Sequence, residues 1–181
     1  MEQDIERVLL TEEQLKARVR ELGAQIAKDY DGLMPVMVCI LKGAVTFYTD
    51  LLRATPIPLT MDFMVVSSYG NKTTSSGSVE IRKDLSTSIE NKHVIIVEDI
   101  VDSGFTLSNL SRILASRGAA SIRICTLLDK PSRRAPGITL KSDYSGFEVG
   151  DEFVVGYGLD YAELYRNLPY VGILKRSVYE K

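Results

Sequence analysis

The chain has 181 residues, enough for a single domain with a sizeable core, and 45% of them are hydrophobic. Twenty-two basic residues against 24 acidic ones leave a formal charge of −2, so the overall balance carries no footprint for nucleic acid. No apolar run approaches the roughly 18 residues that span a membrane, and the opening MEQDIERVLL has no secretory pattern.

Taken in order, Thr11-Glu12-Glu13-Gln14 forms a capping box, and Leu15, Val19, Leu22 and Ile26 mark an amphipathic helix to about Tyr30. Asp31-Gly32 ends it. Pro35 to Ile40 is a short apolar strand, followed by the loop Leu41-Lys42-Gly43-Ala44 and a helix through about Leu52. Pro56 and Pro58 break the chain before a strand from Met61 to Ser67. The stretch from Ser68 to Ser78 holds four serines, two threonines and two glycines around one large side chain, Tyr69. Such a segment has little to bury and is expected to form a flexible lid loop, about 68–78. Val79 to Lys83 alternates like a surface strand, and a turn region runs to Asn91. His93, the only histidine, stands beside Lys92 and is expected to be solvated, with no partners for a zinc site. Cys39 and Cys125 lie in apolar strands, as reduced core residues of a cytoplasmic protein do.

The stretch from His93 to Leu107, HVIIVEDIVDSGFTL, carries the chemistry. Val94 to Val97 suits a parallel strand buried on both faces. An acidic turn with Glu98, Asp99 and Asp102 is expected next, then the small-residue loop Ser103-Gly104-Phe105-Thr106. A helix follows from about Thr106 to Arg117, with Gly118 as its stop. A helix start presents free N–H groups and the positive end of a dipole, which suits a phosphate. Acids at one end and an anion cradle at the other suggest a phosphorylated sugar. No Walker A loop and no dinucleotide glycine spacing is present. Ser121 to Leu128 is another strand, ending at Asp129-Lys130-Pro131. In an open parallel sheet the strand-end loops 41–44, 67–70, 98–106 and 129–131 should converge on one side. The last quarter is rich in aromatics; Phe153, Asp160 and Arg166 stand out there from what is otherwise a packed edge.

The run from Glu98 to Thr106 resembles the phosphoribosyl-diphosphate signature of type I phosphoribosyltransferases. With the LKGA and SYG loops, LLDKPSRR and FVVGYGLDYAELYRNLPYVG, nearly the whole chain resembles the 6-oxopurine members, of the hypoxanthine-guanine type in bacterial style. The resemblance implies an α/β single-domain type I phosphoribosyltransferase fold over residues 1–181: a mainly parallel twisted sheet flanked by helices. It also implies a small hood from the N-terminal segment and about 143–181.

The reaction it implies joins hypoxanthine or guanine to 5-phosphoribosyl-1-diphosphate with Mg2+, giving IMP or GMP and diphosphate. Glu98 and Asp99 then contact the ribose hydroxyls and, with Asp160, hold metal. The loop of Asp102, Ser103, Gly104, Phe105 and Thr106 takes the 5′-phosphate, and Asp102 accepts a proton. Lys42, Gly43 and Arg166 meet the diphosphate, with a cis peptide often found between residues matching Leu41 and Lys42. Lys130 donates to the purine O6, Phe153 stacks on the base, and Val154 and Asp160 read its edge. Ser68 and Tyr69 belong to the lid. The partners implied are small molecules and further copies of the chain, as a homodimer or homotetramer, with no nucleic acid and no membrane. A xanthine-preferring relative and a nucleotide-binding regulator on the same fold stand as alternatives.

Overall fold

The computed structural model describes residues 1–68 and 79–180. A three-residue 3-10 turn leads into β1 (Ile5–Leu10), and α1 (Glu12–Asp29) follows. Thr11 and Gln14 form the expected reciprocal capping box, worth about 1 kcal/mol for a cap of this kind. Leu15, Val19, Leu22 and Ile26, spaced by three or four residues, are all buried on one face of α1.

Six strands make the main sheet, in the order β4-β3-β2-β5-β6-β7. They are β2 (Val36–Leu41), β3 (Thr60–Ser68), β4 (Val79–Lys83), β5 (His93–Val101), β6 (Ser121–Asp129) and β7 (Tyr144–Glu148). Every pairing is parallel except that of β3 with the edge strand β4. The central strands β2 and β5 are apolar on both faces because helices cover both. On one face α1 and α2 (Val45–Ala54) bury Met37, Cys39, Ile95 and Val97; on the other α3 (Phe105–Ser116) buries Val38, Ile40, Val94 and Ile96. Both cysteines are buried and unpaired.

A second, three-stranded sheet has the order β1-β9-β8, from β8 (Val154–Val155) and β9 (Val171–Leu174). It brings the two ends of the chain together; the short α4 (Arg176–Tyr179) follows it. This hood begins later than the sequence suggests. Tyr144–Glu148, assigned above to the hood, is β7 and extends the main sheet alongside β6. Its short alternating pattern gives no sign of which sheet it joins. Most of the lid expected at 68–78 lies outside the described residues, Tyr69 included. Ser68 ends β3, its backbone paired with Val79.

His93 opens β5 at the end of the sheet opposite the loops that carry the chemistry. It is half-buried rather than solvated: Nδ1 lies 2.8 Å from Ser121 Oγ, and the ring stands edge-on to Tyr30.

Candidate active site

Two of the three acids expected in a turn, Glu98 and Asp99, are part of β5, while Asp102 follows it in the loop. Pairing with β6 continues past the apolar run through Glu98↔Thr126, Ile100↔Leu128 and Val101↔Asp129. The consequence is a division of labour between neighbours, because successive strand residues point to opposite faces. Glu98 lines a cavity of 110 Å³ with Asp102, Ser103, Gly104 and Thr106. Asp99 lines a cavity of 300 Å³ with Asp102, Lys130, Phe153, Val154 and Asp160. Ile100 and Asp102 border both cavities.

The smaller cavity opens on a helix start, a geometry that can hold an anion. Gly104 adopts φ 76 as the N-cap of α3, a left-handed conformation that glycine takes without strain. The first helical hydrogen bond runs from Ser108 N–H to Gly104 O at 3.0 Å, so the N–H groups just before it stand at the open helix end. Phe105 N–H leans on Ser103 Oγ at 3.4 Å, while the Phe105 ring is exposed and lines neither cavity. Glu98 Oε2 is buried and has no hydrogen-bond partner among the described residues. Burial first, and the adjacent Asp99 charge second, hold the Glu98 carboxyl well above the usual carboxylate range. Asp99 is pushed up to about 6 by burial; hydrogen bonds from the Ile100 and Asp99 N–H groups and the Arg166 charge oppose that shift. An acidic pair held this high favours a cation beside it.

The larger cavity gathers groups from three distant parts of the chain. Lys130 is buried, and its Nζ donates to Glu152 O at 2.7 Å. Burial pulls the Lys130 ammonium below the ordinary lysine range, against the opposing pull of Asp102 and Asp151. An ammonium has three donors, and among the described residues this one makes a single hydrogen bond. Phe153 is 36% exposed, enough to present a ring edge or face to a ligand. The Asp102 carboxylate is met by Arg133 Nε at 3.0 Å, and the same guanidinium reaches Asp151 at 3.0 Å.

Lys42, Gly43 and Arg166 line neither cavity and form a third group beside them. The Leu41–Lys42 peptide is cis. Gly43 is required by close approach: a Cβ there would lie 1.6 Å from Asp99 Oδ2. From the other side Gly158 presses in, where a Cβ would sit 2.1 Å from Gly43 O. Lys42 Nζ pairs with Glu163 at 2.8 Å, and Arg166 pairs with Asp160 at 2.9 Å and Glu163 at 3.2 Å. Both pairs to Glu163 are exposed, so an incoming phosphate can displace them at small cost.

The sequence reading missed one organising residue. Arg134 is mostly buried and donates to Val101 O at 2.9 Å, Asp102 O at 2.6 Å and Lys130 O at 3.3 Å, and it pairs with Asp129. It therefore ties the loop bearing Asp102 to the loop bearing Lys130. Two backbone bonds reinforce the tie, Lys130 N–H to Val101 O at 2.9 Å and Ala135 N–H to Ser103 O at 3.0 Å. The consecutive arginines in LLDKPSRR were the available signal, but nothing local to them says which carbonyls they reach.

Residues 8–162 match the phosphoribosyl transferase domain, and the chain belongs to that family. It is 56% identical over 180 residues to the hypoxanthine-guanine phosphoribosyltransferase of Bacillus subtilis, with 99% of each chain covered. To the enzyme of the same name from Staphylococcus aureus it is 54% identical over 179 residues, again with 99% of each covered. A solved hypoxanthine phosphoribosyltransferase from Staphylococcus aureus matches with a TM-score of 0.95 at 52% identity, covering 100% of this chain and 97% of that one. The sheet order and helical layers described above are those of the type I phosphoribosyltransferase fold.

Proposed function

We propose that this chain joins hypoxanthine or guanine to 5-phosphoribosyl-1-diphosphate, giving IMP or GMP and diphosphate in purine salvage. The observation that carries the reading is a pair of cavities that share a wall at Ile100 and Asp102. The anion cradle at the start of α3 meets, at Asp102, a cavity holding a buried lysine and an open phenylalanine ring. Full-length similarity to hypoxanthine-guanine phosphoribosyltransferases supports it.

The 5′-phosphate rests on N–H groups and hydroxyls from Ser103 to Thr106, and the ribose hydroxyls lie toward Glu98 and Asp99. Lys42, Gly43 and Arg166 receive the diphosphate. Lys130 donates to the purine O6 while Phe153 stacks on the ring and Val154 and Asp160 read its edge. In the reaction the C1′–O bond breaks and its electron pair leaves with diphosphate. A purine nitrogen bonds to C1′, and the neighbouring purine proton passes to the Asp102 carboxylate. Arg133 holds that carboxylate in place from the side. An amino group at position 6 offers Lys130 a donor where an acceptor is needed. A mismatch of this kind discriminates by roughly 10⁴-fold in favourable cases, which sets adenine apart.

The donor set also fits Mg2+. Among the described residues no three Asp, Glu, His or Cys side chains converge as a ready-made cage. Mg2+ needs only one or two carboxylates with substrate oxygens; Glu98 Oε2, without a hydrogen-bond partner among the described residues, offers one at the smaller cavity, and Asp99 offers one at the larger. Asp160 offers another on the diphosphate side. When bound there, the ion takes up charge on the leaving diphosphate. Ser68, and Tyr69 outside the described residues, are assigned to a lid that keeps water from the ribosyl centre.

Buried reduced thiols fit a cytoplasmic setting, and a homodimer or homotetramer is the expected assembly. The deciding experiment is an assay with 5-phosphoribosyl-1-diphosphate, Mg2+ and each of hypoxanthine, guanine, xanthine and adenine. Nucleotide from the first two, little from adenine and none without Mg2+ is expected. Xanthine as the foremost substrate, or tight phosphoribosyl-diphosphate binding without turnover on any base, contradicts it.

A further inference from the structure

Phe153 is held from behind by the end of the chain. Its ring stacks on that of Tyr179, with centroids 4.9 Å apart and planes 26° from parallel. Tyr161 stands edge-on to it at 5.6 Å and 89°. The backbone is fixed from the same quarter, since Leu174 N–H donates to Phe153 O at 2.9 Å. Phe153 lines the 300 Å³ cavity with Asp102 and Lys130, and also a separate hood cavity of 370 Å³ that Tyr179 lines and Lys130 does not. The ring is thus a partition with Tyr179 on its hood side. α4 itself is anchored: Lys175 N–H donates to Asp4 O at 2.9 Å, and Lys175 Nζ to Gln3 O at 2.6 Å. Val178 and Tyr179 pack on the hood cluster of Val155, Tyr165, Leu168 and Leu174.

We propose that Tyr179 is a positioning residue for the purine: its ring backs Phe153 and sets the plane on which the base stacks. The inference rests on the purine-site reading above. Aromatic pairs favour offset stacking, and a ring held on one face stays flat for a ligand on the other. Without that support Phe153 keeps, among the aromatic contacts of the described residues, the edge-on contact with Tyr161; its ring rotates more freely, and base binding then has to order it. The phosphate cradle lies on the main sheet and does not touch this stack, so the effect is confined to the base.

The test compares Tyr179→Phe, Tyr179→Leu and Tyr179→Ala with the wild type, by kinetics and by direct titration of IMP and of phosphoribosyl diphosphate. Leu keeps apolar bulk without a flat face; Phe keeps the face. The Leu and Ala variants are expected to raise the purine KM about five- to tenfold, the scale of one aromatic contact. IMP binding should weaken in parallel while phosphoribosyl-diphosphate binding and melting temperature stay close to wild type. Phe should restore wild-type values. Unchanged purine KM in Tyr179→Ala overturns the inference. So does equal loss on both substrates, which is the mark of a loosened hood. A wild type that binds neither purine nor IMP instead overturns the purine-site reading on which the inference rests.

Discussion

The cavity we assign to phosphate and the cavity we assign to the base are built in opposite ways. The phosphate end is local: one strand, one turn and one helix start, all between Glu98 and Leu107. Its donors are mostly backbone N–H groups, fixed once β5 and α3 form. The base end is assembled from side chains that are far apart in sequence: Asp99, Lys130, Phe153 and Asp160, held in turn by Gly43, Arg134 and the hood. A site of the first kind survives most single substitutions outside its own turn. One of the second kind depends on residues that never touch a ligand.

Asp102 borders both ends, and its loss gives the largest effect. Asp102→Asn should lower kcat by about 10²–10⁴-fold, the usual worth of a positioned proton acceptor. Phosphoribosyl-diphosphate affinity should change by no more than a few-fold, because the cradle is backbone. Steady-state kinetics with a parallel binding titration measure both, and an equal fall in the two merges what is here kept apart.

Arg134→Ala attacks the tie between the ends. It removes a donor from four carbonyls, Val101 O, Asp102 O, Lys130 O and Leu140 O, and from the partly buried Asp129; Val101 O and Lys130 O keep the Lys130 and Arg133 N–H groups. A stability loss of about 2–4 kcal/mol is expected, with purine kcat/KM falling further than phosphoribosyl-diphosphate affinity. Thermal melts and kinetics test it. Arg134→Lys keeps the charge but not the fork and should recover only part of either.

Asp99 gives a smaller effect with a definite pH sign. The folded chain holds its carboxyl at about 6 against an ordinary 3.8, so between those values the folded state keeps a proton that the unfolded state has lost. That contribution is full below pH 3.8 and is lost as pH rises through 6. Asp99→Asn should therefore stabilise the ligand-free protein at pH 8 by about 2 kcal/mol and do little at pH 4. A variant no more stable at pH 8 places the cost of this buried acid elsewhere.

The same contrast decides what could be read from the sequence. The cradle was legible because its residues are adjacent and its physics is that of a strand end followed by a helix start. The helices were legible from Leu15, Val19, Leu22 and Ile26, or from Leu107, Leu110 and Leu114, because a buried face needs that spacing. The chain order already set Lys130 at a strand end and Phe153 and Asp160 apart from the packed edge; the resemblance added their roles, which no local pattern assigns. What escaped was tertiary. β7 joined the main sheet rather than the hood, Glu98 and Asp99 parted to different cavities because they lie in a strand and not in a turn, and Arg134 reached carbonyls on another loop. Gly43 was singled out as a loop glycine, but only the approach of Asp99 and Gly158 shows why a side chain cannot stand there.

In the proposed function Lys130 reads the 6-oxo group from the larger cavity, which adjoins the phosphate cradle at Asp102 but does not supply its donors. The most direct test of this role is kcat/KM for hypoxanthine and for adenine, with the phosphoribosyl-diphosphate KM, in the wild type and in Lys130→Ala. The wild type is expected to favour hypoxanthine by about 10³-fold or more. In the variant the hypoxanthine value should fall by about 10–100-fold, the range for a hydrogen bond to a charged donor, with the phosphoribosyl-diphosphate KM within a few-fold of wild type. Hypoxanthine use that survives Lys130→Ala unchanged, or a matching collapse of phosphoribosyl-diphosphate binding, would contradict it.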